Sequence, residues 1–444
     1  MVDGGYYSLL EEMVQKFMEE EPNVDVRLSN PLGSGNYNTL EKTIVAGFFK
    51  EDYPDIVQCY PDNVVKYLDR GYVVDVSTYM NNDKYGIEGD NYISSFLDEG
   101  SSYSAKGTYS LPFCKSTELL YYNADVLLGL DLSATDSSIN GGKPLDANYL
   151  DNLTWEELFG KLCPAIKTHN SALSDENKIY QDSEDSGIFT YDSDENFFIT
   201  LANQYGYGYT SFDSNGKGSI DYDNSGMKSL VSTLYEAKNN GYLQTRNTYN
   251  DYVSYLFQSR KALFTVSSTA GLSYNFVSEH DQKSKGLTPF SIGVAKIPHS
   301  EGRAYSSINQ GPSVCVLDHH DENRSLASYL LWKFLTNETN ATSWALATGY
   351  IGVRDSVYSS SEYKSAITVG KDSDIYTRGA ADNLKKIADV KDLTYNTAVF
   401  RGSSNARSNV GKLMKACLTS EDLANEIDSL FAASVANTKE YLGN

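Results

Sequence analysis

Between Leu10 and Leu68 the apolar residues keep changing their period, and this alternation restricts the fold more than any bulk property. Leu10, Met13, Val14 and Phe17 recur at helical spacing, and the helix is expected to stop before Pro22. Val24-Asp25-Val26-Arg27-Leu28 then alternates apolar and polar residues as a strand does. A Gly/Ser/Asn turn follows, then a helical stretch from about Thr39 to Phe49. Asp55-Ile56-Val57 reads as a short strand and Asn63–Leu68 as a helix. Strand and helix alternating in this way predict an α/β chain with a parallel sheet and helices on its faces. At 444 residues the chain exceeds one ordinary core, so two domains are expected.

The middle of the chain is more polar. Residues 131–152 read as a long loop, closed by Thr154-Trp155-Glu156-Glu157, a capping box with Thr154 as N-cap. Residues 169–196 are again polar and acidic, and helices are predicted over Glu195–Tyr205 and Ser225–Asn239. Leu326, Ala327, Leu330, Leu331, Phe334 and Leu335 mark an amphipathic helix, and two more cover Ser408–Cys417 and the stretch from Ser420 onward.

Charge and composition remove several function classes. A net charge of −22 opposes binding to a phosphate backbone or to an anionic leaflet, so no nucleic-acid partner is expected. No run approaches the ~18 apolar residues that span a bilayer. Cys59, Cys114, Cys163, Cys315 and Cys417 are far apart and lack zinc spacing, so each is expected to be a small buried apolar residue. The 35 Tyr against 3 Trp are unusual. Tyr joins a flat apolar face to a hydroxyl, which suits a polyhydroxylated ligand, although most Tyr fill half-buried surface in any protein.

Motifs that carry chemistry are sparse. Gly33-Ser34-Gly35-Asn36-Tyr37 lies between a strand and a helix, but the third glycine of a dinucleotide loop is missing. Asp213, Asn215 and Asp221 imitate the start of a calcium loop. Lys217 then occupies a ligand position, and Asn224 stands where a bidentate Glu belongs. A hairpin turn leading to the helix at Ser225 is the favoured use of that segment, with calcium left open. No Walker loop, GxSxG elbow or HExxH occurs, and the five His offer no obvious general base. No metal, cofactor or catalytic residue is assigned.

The most specific segment is Tyr109-Ser110-Leu111-Pro112-Phe113-Cys114-Lys115-Ser116-Thr117-Glu118-Leu119-Leu120-Tyr121-Tyr122-Asn123. It resembles the "LPFxxSTxxLYYN" segment of the extracellular solute-binding proteins of carbohydrate-import ABC transporters. The nearest branch holds the glycerol-3-phosphate, glycerophosphodiester and oligosaccharide binders. Tyr53-Pro54-Asp55-Ile56-Val57-Gln58, Arg260-Lys261-Ala262-Leu263-Phe264 and Thr348-Gly349-Tyr350-Ile351-Gly352-Val353-Arg354 resemble further family segments in the expected order.

The resemblance implies a two-lobed periplasmic-binding-protein-like fold that closes by a hinge over ligand. Crossings between the lobes are expected near Phe113–Thr117, Thr265–Ala270 and Asp318–His320. One lobe would comprise 1–113 plus 270–318, and the other, more helical, 114–269 plus 319–444. Ligand positions carried over from the family are Asn36, Tyr37, Tyr60, Asp62, Ser116, Thr117, Glu195, Asn196, Ser267, Ser268, Gly311, Ser313, Tyr350 and Arg407. The implied function is capture of a carbohydrate, an oligosaccharide by preference, by a monomer that delivers it to the permease subunits of an ABC importer. An enzyme with paired carboxylates and a non-transport carbohydrate sensor or adhesin are the alternatives.

Two departures accompany the resemblance. Where the glycerophosphate branch carries a glutamate that holds glycerol, this chain has Pro61, which brings Tyr60-Pro61-Asp62 closer to neutral-sugar relatives. Family members also open with a strand before the first helix, preceded by a signal peptide and, in Gram-positive bacteria, a lipid-attached cysteine. Here Met1-Val2-Asp3-Gly4-Gly5 leads directly into the helical pattern. The natural protein is therefore expected to be longer, exported and membrane-anchored.

Overall fold

The computed structural model describes residues 4–29, 37–213, 217–370 and 372–442. In chain order the strands are β1 (Ile56–Cys59), β2 (Leu111–Pro112), β3 (Glu118–Asn123), β4 (Phe189–Tyr191), β5 (Thr210–Phe212), β6 (Gly218–Ile220), β7 (Leu243–Thr245), β8 (Phe264–Ser268), β9 (Ile292–Lys296), β10 (Ser307–Ile308), β11 (Ser313–Val316) and β12 (Thr394–Tyr395). One sheet has the order β1-β11-β2, a second β7-β4-β8-β3-β9, and β10-β12 and β5-β6 form separate pairs. In the first sheet every pairing is antiparallel, with Ile56 opposite Val316 and Ser313 opposite Pro112. The second is mixed: β4 runs parallel to β7 and β8, while β3 runs antiparallel to β8 and β9. The parallel sheet expected around β1 therefore does not form. The neighbour of β1 arrives only after the chain has built the second sheet and returned, which no local periodicity registers.

The helices that frame these sheets are α1 (Gly4–Glu20), α2 (Tyr37–Phe48), α3 (Pro61–Leu68), α4 (Ser94–Glu99), α5 (Asp194–Tyr205), α6 (Ser225–Asn239), α7 (Glu322–Leu335), α8 (Glu338–Thr348), α9 (Ile375–Val390), α10 (Ser403–Leu418) and α11 (Leu423–Lys439). Their ends follow local chemistry. Pro61 opens α3, where its missing N–H costs nothing, and α5 starts on the Ser193 hydroxyl and stops at left-handed Gly206. Val24–Leu28 is not a strand. Val24, Val26 and Leu28 pack against the core from irregular backbone, so their alternation records burial without pairing. The 131–152 segment is stapled down by buried Leu132, Ile139, Leu145 and Leu150. After it the Thr154 hydroxyl accepts from the Glu157 amide at 3.1 Å, as expected of an N-cap.

Side-chain alternation sorts the interior into layers. Val57, Cys59 and Cys315 turn one face of the first sheet toward Ile44 and Phe48 of α2 and Val64 and Val65 of α3. Leu120 and Tyr122 turn one face of the second sheet toward Phe197, Val231, Val410 and Phe431. The opposite faces of both sheets share one continuous core. It runs from Met13, Val314, Val316 and Trp332 through Trp344 and Ile351 to Leu119, Tyr121, Ile292 and Ile387. All five cysteines are buried free thiols, and no helix among the described residues is long and apolar enough to cross a membrane.

Between the sheets three segments lie side by side. Ser116 and Gln310 exchange backbone bonds of 2.8 and 2.9 Å, the Cys114 amide donates to Pro312 O, and the Asn309 amide donates to Tyr395 O. Gly311, at φ +91°, makes the close approach possible: a Cβ there would lie 2.1 Å from Cys114 O. This ribbon corrects the expected crossings. Residues 113–117 do pass between the sheets, but 265–270 stay on the second, where the Thr269 amide donates to Thr117 O. Residues 318–320 stay on the first, with His319 stacked on Tyr53. Residues 307–312 also pass between the sheets, and Thr394–Asn396 run beside them, with Thr394 and Tyr395 opposite Ser307 and Ile308. The expected lobe boundaries shift accordingly: Ile292–Lys296 pairs with β3, and α7 and α8 pack on α1.

Lys115, fully buried within the ribbon, ties it together. Its ammonium meets Glu99 of α4 at 2.6 Å and Gly311 O at 3.0 Å, while Ser313 and Asn309 also donate to the Glu99 carboxylate. Removing one partner of such a pair strands the other charge, so Lys115→Met is expected to lower stability by about 3–5 kcal/mol. Lys115→Met combined with Glu99→Leu should recover much of that loss in urea unfolding. A single variant as stable as the parent would show that the pair holds nothing together.

Candidate functional site

From the first sheet, the site begins where β1 runs into α3. Tyr60 stands at the N-cap position of α3, and Asp62 lies in its first turn. Tyr37, the first residue of α2, meets the Tyr60 ring edge-on with centroids 4.8 Å apart. Tyr350 follows Gly349, whose left-handed φ of +72° ends α8 against Thr269 O. Its phenol lies in the electrostatic neighbourhood of Tyr37, Tyr60 and Cys114, and burial raises the phenol pKa of all three tyrosines. Tyr60 remains 38% exposed, so its ring is available to a ligand.

The second sheet answers from the edge where β4, β7 and β8 end and β3 begins, the carboxyl edge at which α/β sheets bind ligands. Glu118 is 2% exposed and accepts from the Tyr191 phenol and from Asn196 Nδ2, the latter at 2.7 Å. Asn196 Nδ2 also donates to Gln310 Oε1 at 2.7 Å, and its Oδ1 accepts from Arg407 Nη2. Arg407 projects from α10 and acts electrostatically on Tyr60 and Asp62 of the first half as well as on Glu118 of the second. The Asp62 carboxylate accepts from the Ser403 hydroxyl in the first turn of α10, a direct bond between the halves.

The structure thus places Tyr37, Tyr60, Asp62, Glu195, Asn196, Tyr350 and Arg407 near one another between the two sheets. Glu195, in the first turn of α5, accepts from Ser193 and lies over Gly411, one turn along α10 from Arg407. Other expected positions serve the ribbon. Thr117 bonds Ser307 at 2.7 Å and Ile308 O at 2.8 Å, Ser313 bonds Glu99, and Ser116 and Gly311 contribute backbone contacts. The Ser267 hydroxyl accepts from Asn275 at 2.8 Å, and Ser268 closes β8 beside it. Asn36 lies outside the described residues, as does Asn215 of the calcium-like loop. Around that loop β5 and β6 form the favoured hairpin, with Asp221 bonded by Ser211 and Ser219. Glu118, Tyr191, Gln310 and Ser403 were not among the expected site residues. Glu118 carried a signal nonetheless, as the acid in a strand whose every residue is buried.

Two cavities of about 310 Å³ open elsewhere on the second half, one of them lined by Trp155, Phe159, Leu201 and Leu234; neither is lined by cleft residues. The site is defined by convergent polar groups: hydroxyls, an amide, carboxyls and one forked cation, with Tyr faces beside them. That set can bind a polyol's hydroxyls and cover its C–H surfaces.

A sequence profile of bacterial extracellular solute-binding proteins matches residues 12–371. No curated protein matches by sequence. Among solved structures, UgpB of Mycobacterium tuberculosis in complex with glycerophosphocholine is 15% identical, with a TM-score of 0.69 over 99% of this chain and 96% of that one. The GacH receptor of Streptomyces glaucescens, solved unliganded and with acarbose, is 14% identical at TM-score 0.65, covering 99% and 97%. The sugar-binding protein MalE of Xanthomonas citri is 14% identical at TM-score 0.68, covering 98% and 95%. These likenesses establish the fold.

Burial pushes the Glu118 carboxyl from 4.5 to about 7, against the opposing pull of Tyr191, Asn196 and Arg407. The folded chain therefore holds this proton more tightly than the unfolded chain. The stability it contributes is present at low pH and is lost as pH rises through about 7. Glu118→Gln removes that dependence, so its stability relative to the parent should improve between pH 5 and pH 8 by up to about 3 kcal/mol. Urea unfolding across that range checks it; a constant difference would place Glu118 in an environment unlike the one described.

Proposed function

The chain belongs to the bacterial extracellular solute-binding proteins, and from that premise we propose that it captures a carbohydrate, specifically an oligosaccharide, between its two lobes. The loaded protein then presents the sugar to the permease subunits of an ABC importer. The observation that carries the reading is the meeting of Tyr37, Tyr60 and Asp62 with Asn196 and Arg407 from opposite sheets. Ligand stabilises a closed form only through contacts that both halves make together, and these residues supply them. Related folds bind acarbose, sugars and glycerophosphocholine, which supports a polyol ligand without choosing among these.

In this reading the lobes centre on the two sheets and the ribbon is the hinge. Tyr37, Tyr60 and Tyr350 cover sugar faces, while Asp62, Glu195, Asn196 and Arg407 bond hydroxyls. The protein works outside the cell as a monomer, tethered by a lipid anchor in its natural form.

Calorimetry against a panel of neutral oligosaccharides tests this directly. A bound sugar at a hundredfold excess over Kd should raise unfolding stability by about 2.7 kcal/mol. Arg407→Ala should weaken binding about thirtyfold, the worth of one charge-assisted hydrogen bond of ~2 kcal/mol. A panel with no binder sinks the carbohydrate reading.

A further inference from the structure

Arg407 stands between two carboxyl groups, Asp62 and Glu118. Asp62 lies on its first-lobe side, bonded to Ser403, and Glu118 lies on the other, joined to it through Asn196. Glu195 covers Gly411, which shares a helical face with Arg407. Three other bases are already matched. Lys66 bonds both Glu41 oxygens at 2.8 Å, Lys115 is buried against Glu99, and Arg246 lies 3.9 Å over the Tyr252 ring with Asp192 in its field.

Asp62 has a second consequence. The N-cap of α10 is Gly402, at φ +99° and with no side-chain cap, so this 16-residue helix begins with uncapped positive dipole and the Ser403 hydroxyl. A helix start beside an arginine is a ready place for a phosphate or carboxylate. Here the Asp62 carboxylate, from the other half, accepts from the Ser403 hydroxyl at that helix start.

Resting on the solute-capture reading, we infer that the cleft rejects anionic solutes, and that Asp62 sets this selectivity by standing where a ligand phosphate or carboxylate would sit. Solute classes are thereby sorted by charge before shape. An uncharged polyol exchanges hydrogen bonds with Asp62, Asn196 and Arg407 at no electrostatic penalty. A phosphorylated polyol must displace Asp62 from Ser403 and then remain beside it. The chain's net charge of −22 acts in the same direction at longer range.

The test uses sn-glycerol 3-phosphate and inorganic phosphate as probes in calorimetry on the whole chain. The unaltered protein should take up neither at millimolar concentration. Asp62→Asn should gain at least about tenfold in affinity for glycerol 3-phosphate, since one like charge a few ångströms away is being removed. Arg407→Gln added to Asp62→Asn should abolish the gain. Asp62→Ser, which keeps a small polar group beside Ser403, provides the same test should the Asn variant fail to melt cooperatively. Phosphate uptake by the unaltered chain overturns the inference whatever the variants do, and so does a folded Asp62 variant that gains nothing. The glycan panel is separate: sugar binding without the phosphate gain sinks only the charge rule, and the gain without sugar binding sinks only the carbohydrate reading.

Discussion

An ammonium with no access to water holds the centre of this molecule. Lys115 brings Glu99, Gly311 and, through the carboxylate, Asn309 and Ser313 to one point. Those residues come from α4 and from two of the ribbon's three segments. The third connecting segment joins when Asn309 Nδ2 also donates to Asn396 at 2.6 Å. Segments that are remote in sequence are thus held in register around one charge, and desolvation makes any alternative arrangement expensive.

The cleft is wired to that fixed point. Gln310 exchanges backbone bonds with Ser116 inside the ribbon while its side chain accepts from Asn196, which in turn holds Arg407. Asn196 spends both its N–H groups and its carbonyl on this chain of contacts. A solute that displaces any member of it acts on the connecting strands directly. Glu118 sits beside it as an acid whose charge burial opposes and whose bonds from Tyr191 and Asn196, with Arg407, favour.

Where the sequence could be read, it was read through periodicity with a nearby cause. The predicted helix over Ser225–Asn239 has those ends, because Asn224 caps it and its apolar stripe is unbroken. The helix at Glu195–Tyr205 begins one residue earlier, on Ser193. Val24–Leu28 misled because burial on one side produces the alternation of a strand without a partner. The ribbon segments near 307–312 and 394–396 were illegible for another reason: they are defined by contact with residues far away in sequence. Family resemblance named Tyr60, Asp62, Asn196 and Arg407, which stand near one another, and also Thr117 and Ser313, whose hydroxyls bond within the ribbon.

The shared core beneath both sheets has a mechanical outcome. Prising the lobes apart along Val314, Ile351, Leu119 and Ile387 would expose apolar surface at about 25 cal/mol for every Å², whereas the face with α3 and α10 is joined mainly by polar contacts that water can replace. The protein is therefore bound along one edge like a book. In the proposed reading it opens toward the tyrosines, and a long guest lies between the pages with its ends projecting past them.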